Sequence, residues 1–255
     1  MCLILFAHGV HPAYPLVVAA NRDEFHARPA APADYWADRP RILAGRDLEA
    51  GGTWLGISTT GRFAAVTNFT EPPPEPLPPR SRGDLVADFL DGDQAPEPYL
   101  QAVARHALAY RGFNLLVGTG TELWYYSNRL EMPQRLEPGI YGLSNHLLDT
   151  AWPKVRRGKS ALEAFHEAED EADLAALLDL LGDDTAPDDA ELRSAGLDPD
   201  SARRVAPCFI RGDVYGTRAS TGLLLGTETA RFTERRFGPN GRHEGEACFT
   251  VPLHA

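Results

Sequence analysis

Two short apolar segments near the start of the chain constrain the fold most strongly. They are residues 2–7, CLILFA, and residues 15–20, PLVVAA. Apolar residues at successive positions of a strand indicate burial on both faces, as in the interior of a layered protein. The segment between them, HGVHPAY, contains the Gly and Pro that favour a loop. The sequence therefore predicts an antiparallel pair of buried strands joined by this loop.

A polar cluster, Asn21 to Glu24, follows the second apolar segment without a spacer. In an antiparallel hairpin with its midpoint near residue 11, the numbers of paired residues sum to about 22 or 23. This arithmetic predicts that Cys2 lies opposite Ala20 or Asn21. The polar cluster is therefore expected to face the second residue of the chain.

A cysteine at position 2 has a chemical option that other positions lack. Removal of Met1 would leave Cys2 with a free α-amine, whose ordinary pKa of about 7.7–8.0 suits a base for the neighbouring thiol, at about 8.5. Arg22 would favour the thiolate and hold a substrate carboxylate or carbonyl, Asp23 would orient the amine or Arg22, and Asn21 would donate to an oxyanion. In the alternative interpretation, Cys2 is a small buried strand residue and the polar cluster ends a strand and caps a turn.

The remaining patterns predict an α+β protein. One hairpin is predicted from TWLGIS and RFAAVTNF, and a second within FNLLVGTGTELWYYS. A further strand is predicted to end at Asn145. Three more strands are predicted near the end of the chain: TRASTGLLLG, ARFTERRF and EGEACFTVPL. Helices are predicted over 82–91, 97–110 and 152–182. The proline-rich segment at residues 71–80, EPPPEPLPPR, predicts a stiff exposed loop near a pocket mouth. Residues 183–200 are predicted to form an acidic connection with short helical turns. Antiparallel hairpins with helices segregated along the chain favour two mostly antiparallel sheets packed as a sandwich with helices outside.

Charge and cysteine content exclude several classes of function. The formal net charge is −11, but residues 163–200 hold fourteen acidic residues and one Arg, whereas the remainder holds 22 acidic and 24 basic residues. With no basic stripe or aromatic RNA-binding motif, nucleic acid is not expected as a partner. Three cysteines without a CxxC pair argue against a disulfide scaffold and a structural zinc site, and no apolar stretch reaches the length of a membrane span. We therefore expect a cytoplasmic protein with reduced thiols and no metal site.

Several motifs together resemble one known family. MCLILFAH, ANRDEF, GGTWLGI, TNF, GLSNHLLDTAWPKV and YGTRASTGLLL are similar to the TANGO2 family, also called the NRDE family. The resemblance extends over nearly the whole chain and implies one domain over residues 1–255. It also implies the fold of the N-terminal nucleophile (Ntn) hydrolases, a four-layer αββα sandwich, with a layout similar to the choloylglycine hydrolase and penicillin V acylase group.

The resemblance also implies a set of catalytic residues. Carried over by position, they are Cys2, Arg22, Asp23, Asn68, Asn145 and Arg218. Asn68 and Asn145 each end a predicted strand, so that convergence of strand ends would bring oxyanion donors together. Four further residues are candidates for substrate contact: Asn21, Glu24, Trp54 and His146.

Three functions of different classes remain open. The first is a Cys N-terminal nucleophile hydrolase that acts on an acyl thioester or amide, with the acyl-CoA class preferred because of the family's links to lipid metabolism. The second is a non-catalytic trafficking protein that binds haem or acyl-CoA in the same pocket. A partner-binding module is a third. The resemblance implies no required cofactor, and haem enters only as a bound ligand.

Overall fold

The computed structural model describes residues 2–72, 74–168 and 173–254 and contains two antiparallel sheets. Strands are numbered in chain order. The first sheet contains, in spatial order, β10 (Gly139–Leu143), β1 (Cys2–His8), β2 (Leu16–Phe25), β11 (Tyr215–Leu225), β12 (Thr229–Gly238) and β13 (Arg242–Pro252). The second contains β3 (Ala30–Tyr35), β4 (Ile42–Asp47), β5 (Leu55–Ser58), β6 (Phe63–Asn68), β7 (Phe113–Thr119), β8 (Glu122–Ser127) and β9 (Gln134–Arg135).

Helices cover the outer face of each sheet. The second sheet packs against α1 (Arg82–Asp91) and α2 (Pro96–Arg105), and the first against α3 (Pro153–Ala168) and α4 (Leu174–Asp179). Two short helices, α5 (Asp189–Ser194) and α6 (Pro199–Ala202), lie in the acidic connection. Among the described residues, no helix is long and apolar enough to cross a membrane.

The apolar strands at the start of the chain lie inside this sandwich. On β1, Ile4 and Phe6 pack between the two sheets, whereas Leu3 and Leu5 pack against the helices. Side chains alternate between the faces of a strand, so a strand between a sheet and a helical layer must be apolar at every position. The predicted α+β class and the four-layer αββα arrangement are confirmed.

The predicted register of the first hairpin is wrong. Cys2 pairs with Arg22, and His8 pairs with Leu16, so the paired numbers sum to 24. The loop is centred one residue later than expected, because β1 continues through His8. β2 also continues through the polar cluster to Phe25, since β11 pairs with it as far as Tyr215 opposite Phe25. The polar residues are therefore part of a central strand rather than a turn after it.

This register divides the polar cluster between two layers. Cys2 and Arg22 are a Cα pair and share a face of the sheet, and Glu24 lies on that face two residues later. Asn21 and Asp23 point to the opposite face, toward the layer that contains α3. A shift of one residue would exchange these two sets, which is why the sequence alone did not assign them.

The other predicted elements agree with the structure in most places. The hairpins β5–β6 and β7–β8 and the helix over 82–91 are confirmed, and the helix predicted over 97–110 is α2 followed by a short 3₁₀ turn. The helix predicted over 152–182 is present as α3 and α4, and residues 169–172 between them lie outside the described residues. Strands β3 and β4 were not predicted, because their segments mix Ala, Pro, Gly and charged residues and are only partly buried.

Candidate active site

A cavity of about 420 Å³ lies between the two sheets, beside the first residue of β1. Cys2 and Arg22 reach it from the first sheet, Trp54 and Asn68 from the second, and Arg82 from the start of α1. The cavity therefore stands where the polar end of β2 meets the other sheet.

The backbone of Cys2 is fixed at the inner wall by the segment that follows β10. The Cys2 backbone N–H donates to Asn145 Oδ1 at 3.0 Å, and Ser144 Oγ donates to the Cys2 carbonyl at 2.8 Å. Asn145 Nδ2 donates to the carbonyl of Asn68 at 2.9 Å. Asn145 thus joins Cys2 to the end of β6. Its acceptor oxygen holds the nitrogen that would become the α-amine after removal of Met1.

The thiol of Cys2 needs a base to become a nucleophile. Burial raises its pKa, and the negative charge of Asp23 raises it further, whereas the backbone N–H of Asp23 and the charge of Arg22 act in the opposite direction. The net result is a raised pKa. At neutral pH the thiol therefore holds its proton unless a neighbouring group removes it.

Arg22 is held beside Cys2 by an acidic partner from the second sheet, Asp47. Its Nη2 lies 3.6 Å from Asp47 Oδ2, and 13% of its side chain is exposed. Arg28 Nε donates to the same Asp47 oxygen at 2.6 Å. Burial acts to raise the pKa of Asp47, but the hydrogen bonds from Arg28 and two backbone N–H groups hold it below its usual value. Asp47 therefore remains a carboxylate and orients both guanidinium groups at the cavity wall.

Asp23 and Asn21 are anchored in the helix-facing layer. Thr217 Oγ1 donates to Asp23 Oδ1 at 2.8 Å. Asn21 Nδ2 donates to the carbonyl oxygens of Leu181 and Cys208, and its Oδ1 accepts from Ser220 Oγ. Asp23 also contributes to the cavity wall, whereas the Asn21 side chain makes its hydrogen bonds on the other side of the sheet. The structure thus brings Asp23 to Cys2 but does not bring the Asn21 amide to the cavity.

Of the remaining candidate site residues, four line the cavity and one does not. Glu24, Trp54, Asn68 and Arg218 line the cavity, and Arg218 Nη1 donates to the carbonyl oxygens of Phe25 and Arg28. His146 does not belong to the wall. Its Nδ1 lies 3.0 Å from Thr150 Oγ1, and its ring packs against Phe69 and Trp152.

The cavity wall is rich in arginine, which the sequence patterns did not predict. Eight arginines line it: Arg22, Arg28, Arg46, Arg80, Arg82, Arg111, Arg218 and Arg236. Five acidic residues also line it: Asp23, Glu24, Asp47, Glu234 and Glu244. These lining residues give an excess of three positive charges, in contrast to the net charge of −11 of the whole chain. The arginines come from seven separate segments, and only the fold makes them neighbours.

Arg82 is the arginine for which the sequence did contain a signal. It is the first residue of α1, where a positive charge opposes the helix dipole. Burial lowers its pKa to about 10, and the nearby charge of Arg111 acts in the same direction. Its Nη1 donates to the carbonyl of Gly112 at 3.0 Å. A basic residue in this unfavourable position indicates a role other than helix stability.

The described residues do not gather three or more His, Cys, Asp or Glu side chains into a group that could hold a metal ion. Cys2, Cys208 and Cys248 are free thiols, of which Cys248 is exposed. The polar groups of the cavity wall include the thiol of Cys2, the amide of Asn68, and carboxylate and guanidinium groups.

Two solved structures share the fold. Penicillin V acylase from Agrobacterium tumefaciens aligns with a TM-score of 0.50 and 10% identity, covering 91% of this chain and 82% of that one. The Caenorhabditis elegans orthologue of N-acylethanolamine-hydrolyzing acid amidase aligns with the same TM-score and identity, covering 89% and 94%. The four layers, with Cys2 at the start of a central strand, thus define a protein with the Ntn-hydrolase fold.

The sequence comparisons define the family within this fold. The family model Transport and Golgi organisation 2 matches residues 1–239. The Transport and Golgi organization protein 2 homologues of Bos taurus and Homo sapiens are 42% and 40% identical, each covering 92% of both chains. The Drosophila melanogaster protein is 30% identical and covers 89% of both. The chain belongs to the Transport and Golgi organisation 2 (TANGO2) family.

Proposed function

We propose that this protein is a cysteine N-terminal nucleophile hydrolase that cleaves an acyl thioester or amide after Met1 has been removed. One observation carries the proposal: the backbone nitrogen of Cys2 is bound by Asn145 Oδ1 at the wall of a cavity. Removal of Met1 would turn this nitrogen into an amine next to the thiol of the same residue. The fold that this chain shares with the acylase and amidase structures supports the same proposal.

The first half of the proposed reaction acylates the enzyme. The α-amine accepts the thiol proton, and the Cys2 thiolate attacks the acyl carbonyl carbon, moving the carbonyl electron pair onto oxygen. Asn68 and Arg218 are the proposed donors to this oxyanion, since both line the cavity beside Cys2. Collapse of the tetrahedral intermediate breaks the bond to the leaving thiolate or amide nitrogen. The leaving group takes the proton from the ammonium, and an acyl-Cys2 thioester remains.

The second half releases the acid. The α-amine, now neutral, accepts a proton from a water molecule as that water attacks the acyl-Cys2 carbonyl. The second tetrahedral intermediate expels the Cys2 thiolate, which recovers the proton from the ammonium. Asn145 keeps the amine in place through both halves. Asp23, buried behind Cys2, orients the amine or Arg22.

The arginines of the cavity favour acyl-CoA within the thioester class. A CoA thioester has several phosphate charges, and Arg binds phosphate through paired N–H donors. Arg82 begins α1, with Arg80 two residues before it, and Arg82 donates to the carbonyl of Gly112, next to Arg111. Arg22 and Arg218 line the cavity from β2 and β11 of the first sheet. This arrangement supports an anionic leaving group rather than a neutral amine.

The intact mass of the Met1-processed protein tests the proposal directly. The protein should carry the Cys248→Ser substitution, because Cys248 is an exposed thiol that would also react. With acetyl-CoA we expect a transient mass increase of one acetyl group on Cys2 and release of free CoA. Cys2→Ala should abolish both signals, and a version with an uncleaved N-terminal extension should bind without turnover. Hydrolysis that persists in Cys2→Ala would contradict the proposed nucleophile.

The alternative function is a carrier that uses the same cavity without chemistry. The positive wall favours it equally, since anion binding needs no nucleophile. For haem the support is weaker, because the described residues of the wall include no histidine. A carrier would bind acyl-CoA stoichiometrically in calorimetry, with the same affinity in the extended version and in Cys2→Ala. Stoichiometric binding of this kind without any hydrolysis would contradict the hydrolase proposal and support the carrier function.

A further inference from the structure

A lysine is buried on the helix-facing side of the active site. Lys154 is the second residue of α3, and only 2% of it is exposed. Its Nζ donates to the carbonyl of Val205 at 3.2 Å. Trp152 and Val155, on either side of the Pro153–Lys154 pair, belong to the apolar cluster between the helices and the first sheet. A buried ammonium strongly destabilises the folded state unless a negative charge compensates it.

A short series of hydrogen bonds connects Lys154 with the polar end of β2. Asn21 Nδ2 donates to the carbonyl of Cys208 at 2.8 Å, and Cys208 Sγ donates to the carbonyl of Lys154 at 3.5 Å. Asp23 lies two residues beyond Asn21, so its side chain points to the same face of β2. Asp23 is also buried, with 3% of it exposed. The start of α3 is thus fixed against the face of β2 that carries the Asp23 carboxylate.

A buried carboxylate, Asp23, lies on the face of β2 against which the start of α3 is fixed. Burial lowers the pKa of Lys154, and the negative charge of Asp23 opposes that change. Among charged groups, Asp23 acts most strongly on Lys154, and Lys154 acts most strongly on Asp23. The charges of both groups also act on the Cys2 thiol, at the start of the neighbouring strand β1. The other groups that act on the pair are Arg22 from β2, Thr217 from β11, Cys208 from the segment before β11, and the amino terminus.

We propose that Lys154 is a positioning residue whose buried ammonium keeps the Asp23 carboxylate ionised behind Cys2. The inference rests on the proposed function and assigns a residue that the catalytic set from the sequence did not contain. An ionised Asp23 can accept a hydrogen bond from the α-amine of a processed Cys2, whereas a protonated one would compete to donate. Lys154 acts through Asp23 and does not reach the substrate.

The expected effect of removing this cation has a definite sign. Burial raises the pKa of Asp23, and the positive charge of Lys154 opposes that rise. The same charge favours the thiolate of Cys2. A neutral side chain at position 154 would therefore raise the pKa of Asp23 and of the Cys2 thiol. Formation of the reactive thiolate would move to higher pH.

Alkylation of Cys2 tests this without requiring any acyl substrate. Rate constants for iodoacetamide would be measured from pH 5 to about 10 on processed Cys248→Ser protein, with peptide mass mapping to confirm modification at Cys2. Burial raises the pKa of Cys208 to about 11, which keeps that thiol out of the profile. For Lys154→Met we expect a profile displaced upward by about one pH unit, hence alkylation about tenfold slower at neutral pH. Lys154→Arg, which keeps the charge, should recover most of the wild-type profile.

Controls separate this role from simple structural support. Val155→Ala removes buried apolar volume from the same helix and should lower the melting temperature without moving the profile. An unchanged profile in Lys154→Met, or an equal displacement in Val155→Ala, would overturn the proposal.

If Lys154→Met does not fold, carbon-13 NMR of the Asp23 carboxyl group in the wild-type protein provides a second test. An ionised carboxyl at pH 7 supports the proposal, and a protonated one overturns it. If Lys154→Met shows the alkylation shift but the processed wild-type protein hydrolyses no acyl thioester or amide, the role of Lys154 stands and the proposed hydrolase function is contradicted.

Discussion

Four consecutive residues of β2 serve two layers of the protein because strand side chains alternate in direction. Arg22 and Glu24 face the cavity with Cys2, whereas Asn21 and Asp23 face the helical layer. Each residue of the cluster thus has a distinct neighbourhood, although all four are adjacent in sequence. The Asn21 amide, which makes three hydrogen bonds in the helix-facing layer, holds that layer together. Its role as an oxyanion donor remains a prediction that its position does not favour.

At the residue scale, Arg82 provides a prediction about ligand charge. Arg82→Gln should weaken binding of a CoA thioester about tenfold or more, because a charge-assisted contact to phosphate would be lost. The same substitution should leave binding of a neutral thioester nearly unchanged. Calorimetric titration of the Cys2→Ala protein measures both affinities without turnover.

Arg193→Gln is the matched control for Arg82→Gln, since it removes an Arg charge from an exposed site on α5. We expect no change in affinity for either ligand in this variant. Equal weakening for the charged and the neutral thioester would show that Arg82 supports the shape of the cavity and not the recognition of charge.

At the element scale, the docking of α1 against the segment before β5 determines where Arg82 points. Gly52 and Gly83 are in close contact: a Cβ added at Gly52 would lie 2.5 Å from the Gly83 carbonyl carbon. The Thr53 backbone N–H donates to the carbonyl of Gly83 at 3.3 Å. The close approach at Gly52 therefore brings the start of α1 to the cavity.

Gly52→Ala should disturb both stability and ligand binding. The new methyl group must separate α1 from its neighbour, so we expect about 1–3 kcal/mol of lost unfolding free energy together with weaker acyl-CoA binding. Urea unfolding and calorimetry measure the two effects. Gly120→Ala is the control, because a Cβ there meets no atom within 4 Å and its φ is not in the left-handed region. Unaltered stability in Gly52→Ala would contradict the close contact.

At the scale of the whole molecule, charge is separated in space. The net charge is −11, and fourteen of the acidic residues fall within residues 163–200 of the sequence. Those that the structure describes lie in or beside α3 and α4, on the outer side of the first sheet, and in the connection after them. The cavity wall, by contrast, carries an excess of three positive charges. Such a separation favours entry of an anionic ligand at the arginine-rich side while the rest of the surface remains acidic.

The charge separation predicts a strong dependence of ligand affinity on salt. Raising NaCl from about 0.05 to 0.5 M should weaken binding of a CoA thioester several-fold, because screening reduces the attraction between phosphates and partly exposed arginines. Binding of a neutral acyl amide should change little over the same range. Fluorescence or calorimetric titration at several salt concentrations measures the slopes, and equal slopes for the two ligands would contradict an electrostatic contribution from the wall.

The sequence by itself determined the layered fold and the identity of the nucleophile candidate. Apolar runs without alternation required strands buried on both faces, and the motifs from Cys2 to YGTRASTGLLL pointed to the family. Both signals are local in the chain and need no knowledge of distant contacts. The partly exposed β3 and β4 escaped detection because their residues carry no strong periodic pattern.

Only the tertiary structure decided which polar side chains meet Cys2. Register placed Arg22 rather than Asn21 opposite it, and a change of one residue in the sum of paired numbers exchanges the two faces of a strand. Arg82 and Lys154 reach the site from the starts of two helices on opposite sides of the sandwich, through packing of segments far apart in sequence. Side-chain direction and long-range packing are properties of the assembled layers, so the sequence supplied the residues while the fold selected their partners.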